Sequence, residues 1–266
     1  STLSGTISYG GDCESDNDTL ATAGNNTITF NALADGTYDN CTISVDNNSN
    51  TSDNLSVSSF TIDITTPTLS SVTIASNNSV STLAKTGDNI TLSITSSEAI
   101  QTPTVTIAGQ NATVTGSDNI TWSATYKMVE ARDNGSVSLN IVFSDLAGNA
   151  GIPVNSTTNG SAVRFDKTAP TLLDNLTIAS NNTLYTTMAK TGDNITLSIT
   201  SSEAIQTPSV SISGQAATVT GDNMTWSAAY TMTNSNTQGS VSLNIGFSDL
   251  AGNAGIAVTS TTNGSA

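Results

Sequence analysis

The sequence predicts an all-β fold of tandem β-sandwich domains, and three observations lead to this expectation. Residues 84–103 reappear letter for letter at 189–208, and the surrounding match has a period of about 104 residues. Val, Ile and Thr alternate with polar residues, which is typical of strands. A period of this length is too long for a solenoid repeat and suits one autonomous domain copied in tandem.

Two proline-containing sequences divide the chain, DITTP at 63–67 and DKTAP at 166–170. Because proline cannot donate to a central ladder, each sequence ends one strand before the next begins. They predict domains over residues 1–65, 66–168 and 169–266, which we call the first, second and third segments. Linkers this short predict domains arranged end to end.

Period-two alternation predicts the strands of the second segment in order. Their apolar positions are Leu69, Val72 and Ile74, then Ile90, Leu92 and Ile94, then Val105 and Ile107, then Val114, then Ile120, Trp122, Ala124, Tyr126 and Met128, then Val137, Leu139, Ile141 and Phe143, and finally Val163–Phe165. About seven strands in 100 residues predict a two-sheet sandwich of immunoglobulin type. We expect Trp122 and Trp226 in the cores. A carbohydrate-stacking platform would need exposed aromatic residues, and these make up only 5% of the chain.

The first segment fits the same template without its first two strands. Its four predicted strands are GTISYGGDC (5–13), NTITFNAL (26–33), YDNCTISV (38–45) and LSVSSFTID (55–63), taken as strands C, E, F and G. We expect the third segment to lack its final strand, because residue 266 corresponds to Ala162. Since unpaired sheet edges are costly, we expect the gaps to be filled either by a longer chain or by strands of neighbouring subunits.

The two cysteines both lie in the first segment. Cys13 ends predicted strand C and Cys41 begins predicted strand F, and these neighbouring strands place the two residues at the same pole. A Cys13–Cys41 disulfide is therefore expected, and closing such a loop stabilises by roughly 3–4 kcal/mol. The alternative is a pair of buried free thiols.

Three short sequences carry a resemblance to a known family. DGTYDNC (35–41), SDLAGN (144–149 and 248–253) and DKTAP (166–170) resemble the bacterial Ig-like repeats of very large secreted surface proteins and adhesins. Tyr38 resembles the corner tyrosine of such sandwiches. The resemblance covers the whole chain and implies an Ig-like fold and an extender role, without indicating a ligand.

Two groups of three acids are predicted to converge at the domain junctions, where the loops after the second and sixth strands of a sandwich (strands B and F) meet the preceding linker, and calcium there is expected to stiffen the chain. They are Asp63, Glu98 and Asp145, which we call the first cluster, and Asp166, Glu203 and Asp249, which we call the second cluster. Grouped carboxylates repel one another unless a cation or a proton intervenes. Oxygen-only ligands favour Ca²⁺. The alternative is that these acids accept hydrogen bonds from loop amides and order the turns.

Composition excludes several classes of function. The formal charge is -15, with six basic and twenty-one acidic residues, so neither nucleic acid nor an anionic membrane surface is an expected partner. No stretch approaches the roughly 18–20 apolar residues of a membrane span. The chain has no histidine and no glycine-rich phosphate loop, so catalysis finds no support.

Polarity, acidity and the two cysteines favour an extracellular or cell-surface location. Candidate N-glycosylation sequons are frequent, although a chain this rich in Asn, Ser and Thr produces many by chance. They include those at Asn89, Asn111, Asn119, Asn194 and Asn223. We expect a non-enzymatic extender of a surface adhesin, with neighbouring domains or copies as partners. The alternatives are a filament subunit completed by strands of neighbouring chains and, less favoured, a glycan- or protein-binding module.

Overall fold

The computed structural model describes Ser1 and residues 4–261. The ends of the predicted first and third segments, residues 2–3 and 262–266, lie outside this described part. The chain forms two compact units, one of Ser1–Thr68, Ser96–Pro103 and Val142–Ile152, the other of Leu69–Thr95, Thr104–Ile141 and Pro153–Ala266. The predicted segment boundaries stay a prediction.

All regular structure in the described residues is β-structure, which confirms the predicted all-β class. None of the described residues belongs to a helix with the length and hydropathy needed to span a membrane.

In the part of the first segment that the structure describes there are six short strands: β1 (Gly5–Gly10), β2 (Leu20–Ala21), β3 (Gly36–Tyr38), β4 (Thr42–Asp46), β5 (Leu55–Ser56) and β6 (Phe60–Ile62). One sheet has the order β2-β1-β4-β5, and β3 pairs with β6 in a second. The central pair, β1 and β4, is antiparallel. The Tyr38 hydroxyl donates to the carbonyl of Ala34 at 2.9 Å, the upstream bond expected of a corner tyrosine.

The predicted strand at 26–33 is wrong, because this stretch has no regular structure. Its backbone is held by other groups: the Thr29 N–H donates to the Asp18 carboxylate, and the Asn31 N–H to the carbonyl of Glu14. Alternation in NTITF mimics a strand, but these bonds replace a ladder. The predicted strand at 55–63 is also divided, into β5 and β6.

Ten strands form the second segment: β7 (Leu69–Ser76), β8 (Leu83–Ala84), β9 (Asn89–Ser96), β10 (Thr104–Ile107), β11 (Gln110–Asn111), β12 (Thr113–Gly116), β13 (Thr121–Lys127), β14 (Gly135–Ser136), β15 (Leu139–Val142) and β16 (Arg164–Phe165). The sheet orders are β12-β13-β9-β7, β11-β10-β15 and β14-β16-β8. The predicted strand from Val137 to Phe143 is shorter than expected. The chain changes partner along this stretch: β14 pairs with β16, and β15, which follows it, pairs with β10.

The described residues of the third segment form seven strands: β17 (Thr177–Ser180), β18 (Asn194–Thr200), β19 (Ser209–Ile212), β20 (Gln215–Ala216), β21 (Thr218–Asp222), β22 (Thr225–Thr231) and β23 (Leu243–Gly246). The sheet orders are β17-β18-β22-β21 and β20-β19-β23. In Ig notation β7, β9, β13 and β12 are strands A, B, E and D of the second segment, and β17, β18, β22 and β21 are the same strands of the third. Both four-stranded sheets therefore have the order A-B-E-D. Strands C and F, which are β10 and β15 in the second segment and β19 and β23 in the third, pair in the other sheet. This strand order is that of immunoglobulin-like sandwiches.

Alternate residues of these sheets form the cores. In the third segment, both sheets contribute to one buried cluster, which includes Leu197 and Ile199 of β18, Trp226 of β22, Ile212 of β19 and Ile245 of β23. Trp122 is buried at the corresponding position of β13. The expected core role of both tryptophans is therefore confirmed.

Candidate metal sites

The structure brings together the three predicted acids of each cluster. Asp63, Glu98 and Asp145 each offer a carboxylate oxygen within 4.8 Å of the others, and Asp166, Glu203 and Asp249 do the same. In each cluster the last acid is buried and the other two are partly exposed. Either cluster could hold a metal ion.

A tight turn positions Asp145, the buried acid of the first cluster. Its Oδ1 accepts the backbone N–H groups of Gly148, at 2.6 Å, and Asn149, at 2.8 Å. Gly148 has a φ of 103°, a conformation that favours glycine. The Asn149 side-chain amide donates to Asp145 Oδ2 at 2.7 Å and to the backbone carbonyl of Asp63 at 2.9 Å. Burial alone would raise the pKa of Asp145, but the bonds from Asn149 and Gly148 outweigh it, and the pKa lies below its ordinary value.

Glu98 follows β9 and is held by its own loop. Ser96 Oγ donates to the backbone carbonyl of Glu98 at 2.5 Å. The next residues are tied to the Asp145 turn, because the Gln101 side-chain amide donates to the backbone carbonyl of Asp145 at 2.9 Å. Partial burial, followed by repulsion from Asp63, Asp145 and Asp35, raises the pKa of Glu98 above its ordinary value. Repulsion from three neighbouring acids therefore adds to the effect of burial at this site.

Asp35 is a fourth acid of the first cluster's surroundings that sequence reasoning missed. Its carboxylate accepts the backbone N–H of Ile64 at 2.8 Å and the hydroxyl of Thr65, so it lies beside the chain that follows Asp63. Comparison of the segments could have identified it. Asp35-Gly36 corresponds to Asn134-Gly135, so the first segment has an acid where the second segment has an amide.

The second cluster repeats the geometry of the first. The Asn253 amide donates to Asp249 Oδ2 at 2.7 Å and to the backbone carbonyl of Asp166 at 2.9 Å. Ser201 Oγ donates to the backbone carbonyl of Glu203 at 2.5 Å, as Ser96 does to Glu98. The same loop chemistry has therefore been built twice.

The charge around the second cluster differs from that around the first. Partial burial, then repulsion from Asp166 and Asp249, raises the pKa of Glu203, while the nearby Arg164 acts in the opposite direction. Arg164, Asp166, Glu203 and Asp249 also line a cavity of about 280 Å³. Thr61 stands at the position that corresponds to Arg164 in the first segment. The second cluster is consequently the less negative of the two.

Cys13 and Cys41 form a disulfide with a Cα–Cα distance of 5.3 Å. Cys13 follows β1 and Cys41 precedes β4, and the ladder between these strands ends with the pair Gly10 and Thr42. The disulfide therefore closes the end of the central ladder of the first segment. Disulfides of this kind are typical of oxidising compartments.

The five candidate sequon asparagines are all exposed: Asn89, Asn111, Asn119, Asn194 and Asn223. Asn119 and Asn223 occupy corresponding turns with positive φ values of 59° and 49°. Asn194 Oδ1 accepts the Thr231 hydroxyl at 2.5 Å. Whether any of them carries a glycan stays a prediction.

A buried polar anchor in the duplicated block was also missed by sequence reasoning. Asp88 accepts the side-chain amide of Asn78 at 2.7 Å and the ammonium of Lys85 at 2.9 Å. Asp193 repeats this arrangement with Asn182 and Lys190. Bonds from the Lys190 backbone and side chain, then from Asn182, lower the pKa of Asp193 to about 2. These acids are fully partnered, so they order a turn and offer no free ligand.

No protein-family model matches the chain, and no curated protein sequence matches it either. Among solved structures, the chain is similar to a pair of tandem Ig domains of titin. The sequences are 10% identical, the match covers 73% of this chain and 93% of that chain, and the TM-score is 0.26. The Ig-like assignment rests on the A-B-E-D strand order described above.

Proposed function

We propose that the chain is a non-enzymatic structural extender of an extracellular, adhesin-type surface protein, and that Ca²⁺ bound at the two clusters stiffens it. The observation that carries the proposal is the duplication of the clusters. Each cluster has the same three types of acid. In each, an asparagine side-chain amide donates to the backbone carbonyl of the first aspartate, and a serine hydroxyl donates to the backbone carbonyl of the glutamate. Repeated sites of this kind are typical of a structural extender built from repeated domains, whereas an active site seldom needs copying.

Calcium is favoured by the chemistry of the ligands. Each cluster offers three carboxylate groups with oxygens within 4.8 Å of one another. Ca²⁺ prefers oxygen ligands at 2.3–2.6 Å in flexible geometry, and it accepts carboxylates, backbone carbonyls and water together. After partial burial, repulsion from neighbouring acids contributes to the raised pKa values of Glu98 and Glu203, and this repulsion favours a cation as the counter-charge.

A bound cation would act as a cross-link. In the first cluster it would join residues 63, 98 and 145, and in the second residues 166, 203 and 249. Extracellular modules bind Ca²⁺ with dissociation constants of about 10⁻⁴–10⁻³ M, so a tenfold excess adds roughly 1.4 kcal/mol per site. The larger effect is on stiffness, because three chain stretches become tied to one ion.

The extracellular assignment is supported by the Cys13–Cys41 disulfide, because such bonds persist in oxidising compartments. The non-enzymatic assignment is supported by the lack of histidine and by the position of the clustered acids on repeated turns. The short sequences that resemble bacterial Ig-like repeats support the adhesin type.

The test is a calcium titration of the full chain by calorimetry, with melting temperature and small-angle scattering recorded in calcium and in chelator. With calcium we expect two binding events, a higher melting temperature and a scattering profile that fits a narrower range of conformations than in chelator. The double variant Glu98→Gln, Glu203→Gln should lose all three effects. The matched control is Glu14→Gln, at an exposed glutamate outside both clusters, and it should keep them. Identical melting and scattering in calcium and chelator would refute the calcium proposal.

Two other roles would give different results in solution. A filament subunit would form long assemblies as its concentration rises, which electron microscopy would reveal. A glycan-binding module would need an exposed aromatic surface, whereas Trp122 and Trp226 are both buried. The extender role is the one that uses both clusters.

A further inference from the structure

The second and third segments touch at a place other than the linker that joins them, and all residues of this contact belong to the larger compact unit. The Asn78 side-chain amide of the second segment donates to the backbone carbonyl of Ala251 in the third at 2.8 Å, across 173 residues of chain. The same amide donates to the buried carboxylate of Asp88 at 2.7 Å. One asparagine therefore joins an acid of its own segment to a turn of the next.

Bonds within the second segment fix the direction of the Asn78 amide. Asn78 Oδ1 accepts the backbone N–H of Val80 at 3.1 Å, so the hydrogens on Nδ2 are left to Asp88 and Ala251. Asp88 is itself held by the Lys85 ammonium at 2.9 Å and by the Lys85 backbone N–H at 2.8 Å. The donor is thus set in place by its own segment.

The stem of Lys85 lies beside the residue that follows Ala251. A Cβ atom placed on Gly252 would lie 3.6 Å from Lys85 Cε and 3.8 Å from Lys85 Cδ, which are ordinary van der Waals distances. Ala251 is 4% exposed, whereas Ala147, in the identical turn of the second segment, is exposed. Since this turn does not bury its own alanine, the second segment is what covers Ala251.

The linker is held separately to both segments. Asn134 Oδ1 accepts the backbone N–H of Lys167 at 2.8 Å, and the Asn134 amide donates to the carboxylate of Asp166 at 3.0 Å. On the other side, the Asn253 amide donates to the backbone carbonyl of Asp166 at 2.9 Å. Domains that are joined only through a linker move relative to each other by default. The bond from Asn78 to Ala251 adds a second attachment, which removes most of that freedom.

Apolar packing at this contact is limited. Leu83 of the second segment and Ala204, Leu250 and Ala251 of the third line the cavity of about 280 Å³ described above, so they do not close into a continuous core. Hydrogen bonds have narrow preferences in distance and angle, whereas apolar contacts have no preferred direction. The polar contacts therefore decide the orientation of the two segments.

We propose that Asn78 and Lys85 form a docking surface for the turn at 250–252, and that this surface fixes the angle between the second and third segments without a metal ion. Asn78 supplies the directional bond, and the stem of Lys85, anchored by Asp88, covers the turn. None of these three side chains belongs to either acidic cluster, so the docking surface goes beyond the calcium proposal.

The test is a distance measurement by electron paramagnetic resonance on the full chain, at neutral pH and in chelator. Spin labels are attached at Ser117→Cys and Gln215→Cys, which are exposed positions of the second and third segments. The native cysteines are joined in the disulfide and do not react with the label. We expect one narrow distance distribution for the parent chain without calcium.

The matched variants are Asn78→Asp and Asn182→Asp. Each keeps a side-chain oxygen to cap its turn and loses the amide that donates to a neighbouring aspartate. The Asn182 amide donates to Asp193 alone among the described residues, so only Asn78→Asp removes a bond to another segment.

In Asn78→Asp a carboxylate oxygen faces the carbonyl of Ala251 in place of a donor. The population of undocked arrangements should rise about tenfold or more, and the distance distribution should widen. Asn182→Asp should leave the distribution as narrow as in the parent chain. Both variants should lower the melting temperature to a similar degree, because each disturbs one buried aspartate.

Three results would overturn the proposal. The first is a broad distribution for the parent chain in chelator, and the second is equal widths for the parent chain and Asn78→Asp. The third is equal widening in the two variants, which would place the effect in the turn and not in the contact between segments. A parent distribution that is broad in chelator and narrow in calcium would overturn this proposal while supporting the calcium proposal, so the two are distinguishable.

Discussion

The side-chain amide nitrogen of Asn253 lies 2.9 Å from the backbone carbonyl oxygen of Asp166, although 87 residues separate the two along the chain. The same amide donates to the carboxylate of Asp249 at 2.7 Å. A neutral amide therefore holds the parts of the second cluster together without cancelling any of its negative charge. That charge remains available to attract a cation.

Removing the side-chain amide of Asn253 should lower the free energy of unfolding. Asn253→Ala takes a hydrogen-bond donor from the buried carboxylate of Asp249, and such a loss costs about 1–3 kcal/mol. Urea unfolding monitored by circular dichroism, in chelator, measures the change. Asn155→Ala, at an exposed asparagine outside the clusters, should change the free energy of unfolding by less than about 0.5 kcal/mol. Equal losses in the two variants would show that this amide contributes nothing specific.

The two clusters should bind calcium with different affinities. Asp35 adds negative charge near Glu98, whereas Arg164 opposes the negative charge near Glu203. Each partly exposed charge contributes roughly 0.2–1 kcal/mol, so each of these two charge differences should make the first cluster bind about 1.4- to fivefold more tightly than the second.

Two variants, measured by calorimetry, check this difference. Asp35→Asn should weaken the first site in a Glu203→Gln background, and Arg164→Thr should strengthen the second site in a Glu98→Gln background. Each variant introduces the residue that stands at the corresponding position of the other segment, which is Asn134 for Asp35 and Thr61 for Arg164. Indistinguishable affinities of the two sites in the parent chain would contradict the electrostatic argument.

Stability of the metal-free chain should depend on pH in two opposite ways. The raised pKa values of Glu98 and Glu203 mean that the folded chain binds more protons than the unfolded chain just above the ordinary glutamate value of 4.5. The free energy of unfolding therefore rises as pH falls from neutral towards that range. Asp88 and Asp193 have lowered pKa values, so the stability they contribute is present above 3.8 and lost as pH falls, for Asp193 towards about 2.

Denaturant unfolding in chelator across the acidic range measures this profile. We expect a maximum at mildly acidic pH. The double variant Glu98→Gln, Glu203→Gln should flatten the rise without moving the loss at lower pH. With calcium present the rise should disappear, because protons and the cation compete for the same carboxylates. A parent profile that is flat from neutral pH down to 4.5 in chelator would count against charge crowding.

Gly255 should not tolerate a side chain. A Cβ atom at this position would lie well inside van der Waals contact with the ring of Phe247, which is buried in the core of the third segment. Gly255→Ala should therefore destabilise by about 1–3 kcal/mol through overpacking. Thermal unfolding checks this, with Ile256→Ala as the control, since the side chain of Ile256 is 89% exposed. No loss in the glycine variant would mean that the ring can move aside.

The disulfide should stabilise the first segment strongly relative to its size. The cysteines are 28 residues apart, and a loop of that length corresponds to about 3–4 kcal/mol. The double variant Cys13→Ser, Cys41→Ser should show this loss in urea unfolding followed by circular dichroism. Reductant should act slowly on the folded parent chain, because both cysteines are buried. Rapid reduction under native conditions would point to frequent opening of the first segment.

Some elements could be predicted because one physical rule governs them. In β9 and β13, one face is buried and the other is not, so alternation identifies each strand. The clusters were predictable because loops after strands B and F reach the same pole of a sandwich. Alternation failed at 26–33, where the Asp18 carboxylate and the Glu14 carbonyl replace the partner strand. Asp35 was missed because its place depends on bonds to Ile64 and Thr65, which the spacing of acids does not reveal.

The identity of the duplicated block has a consequence for how the chain folds. The sequence NITLSIT occurs in both β9 and β18, and their partners β13 and β22 are nearly the same. Local pairing energy therefore does not distinguish a strand's own partner from the equivalent strand of the other segment. Exchange between the two is a hazard of tandem repeats during refolding. Synthesis from the N-terminus gives the second segment time to pair before β18 has emerged, so the order of appearance supplies the discrimination that the strands themselves lack.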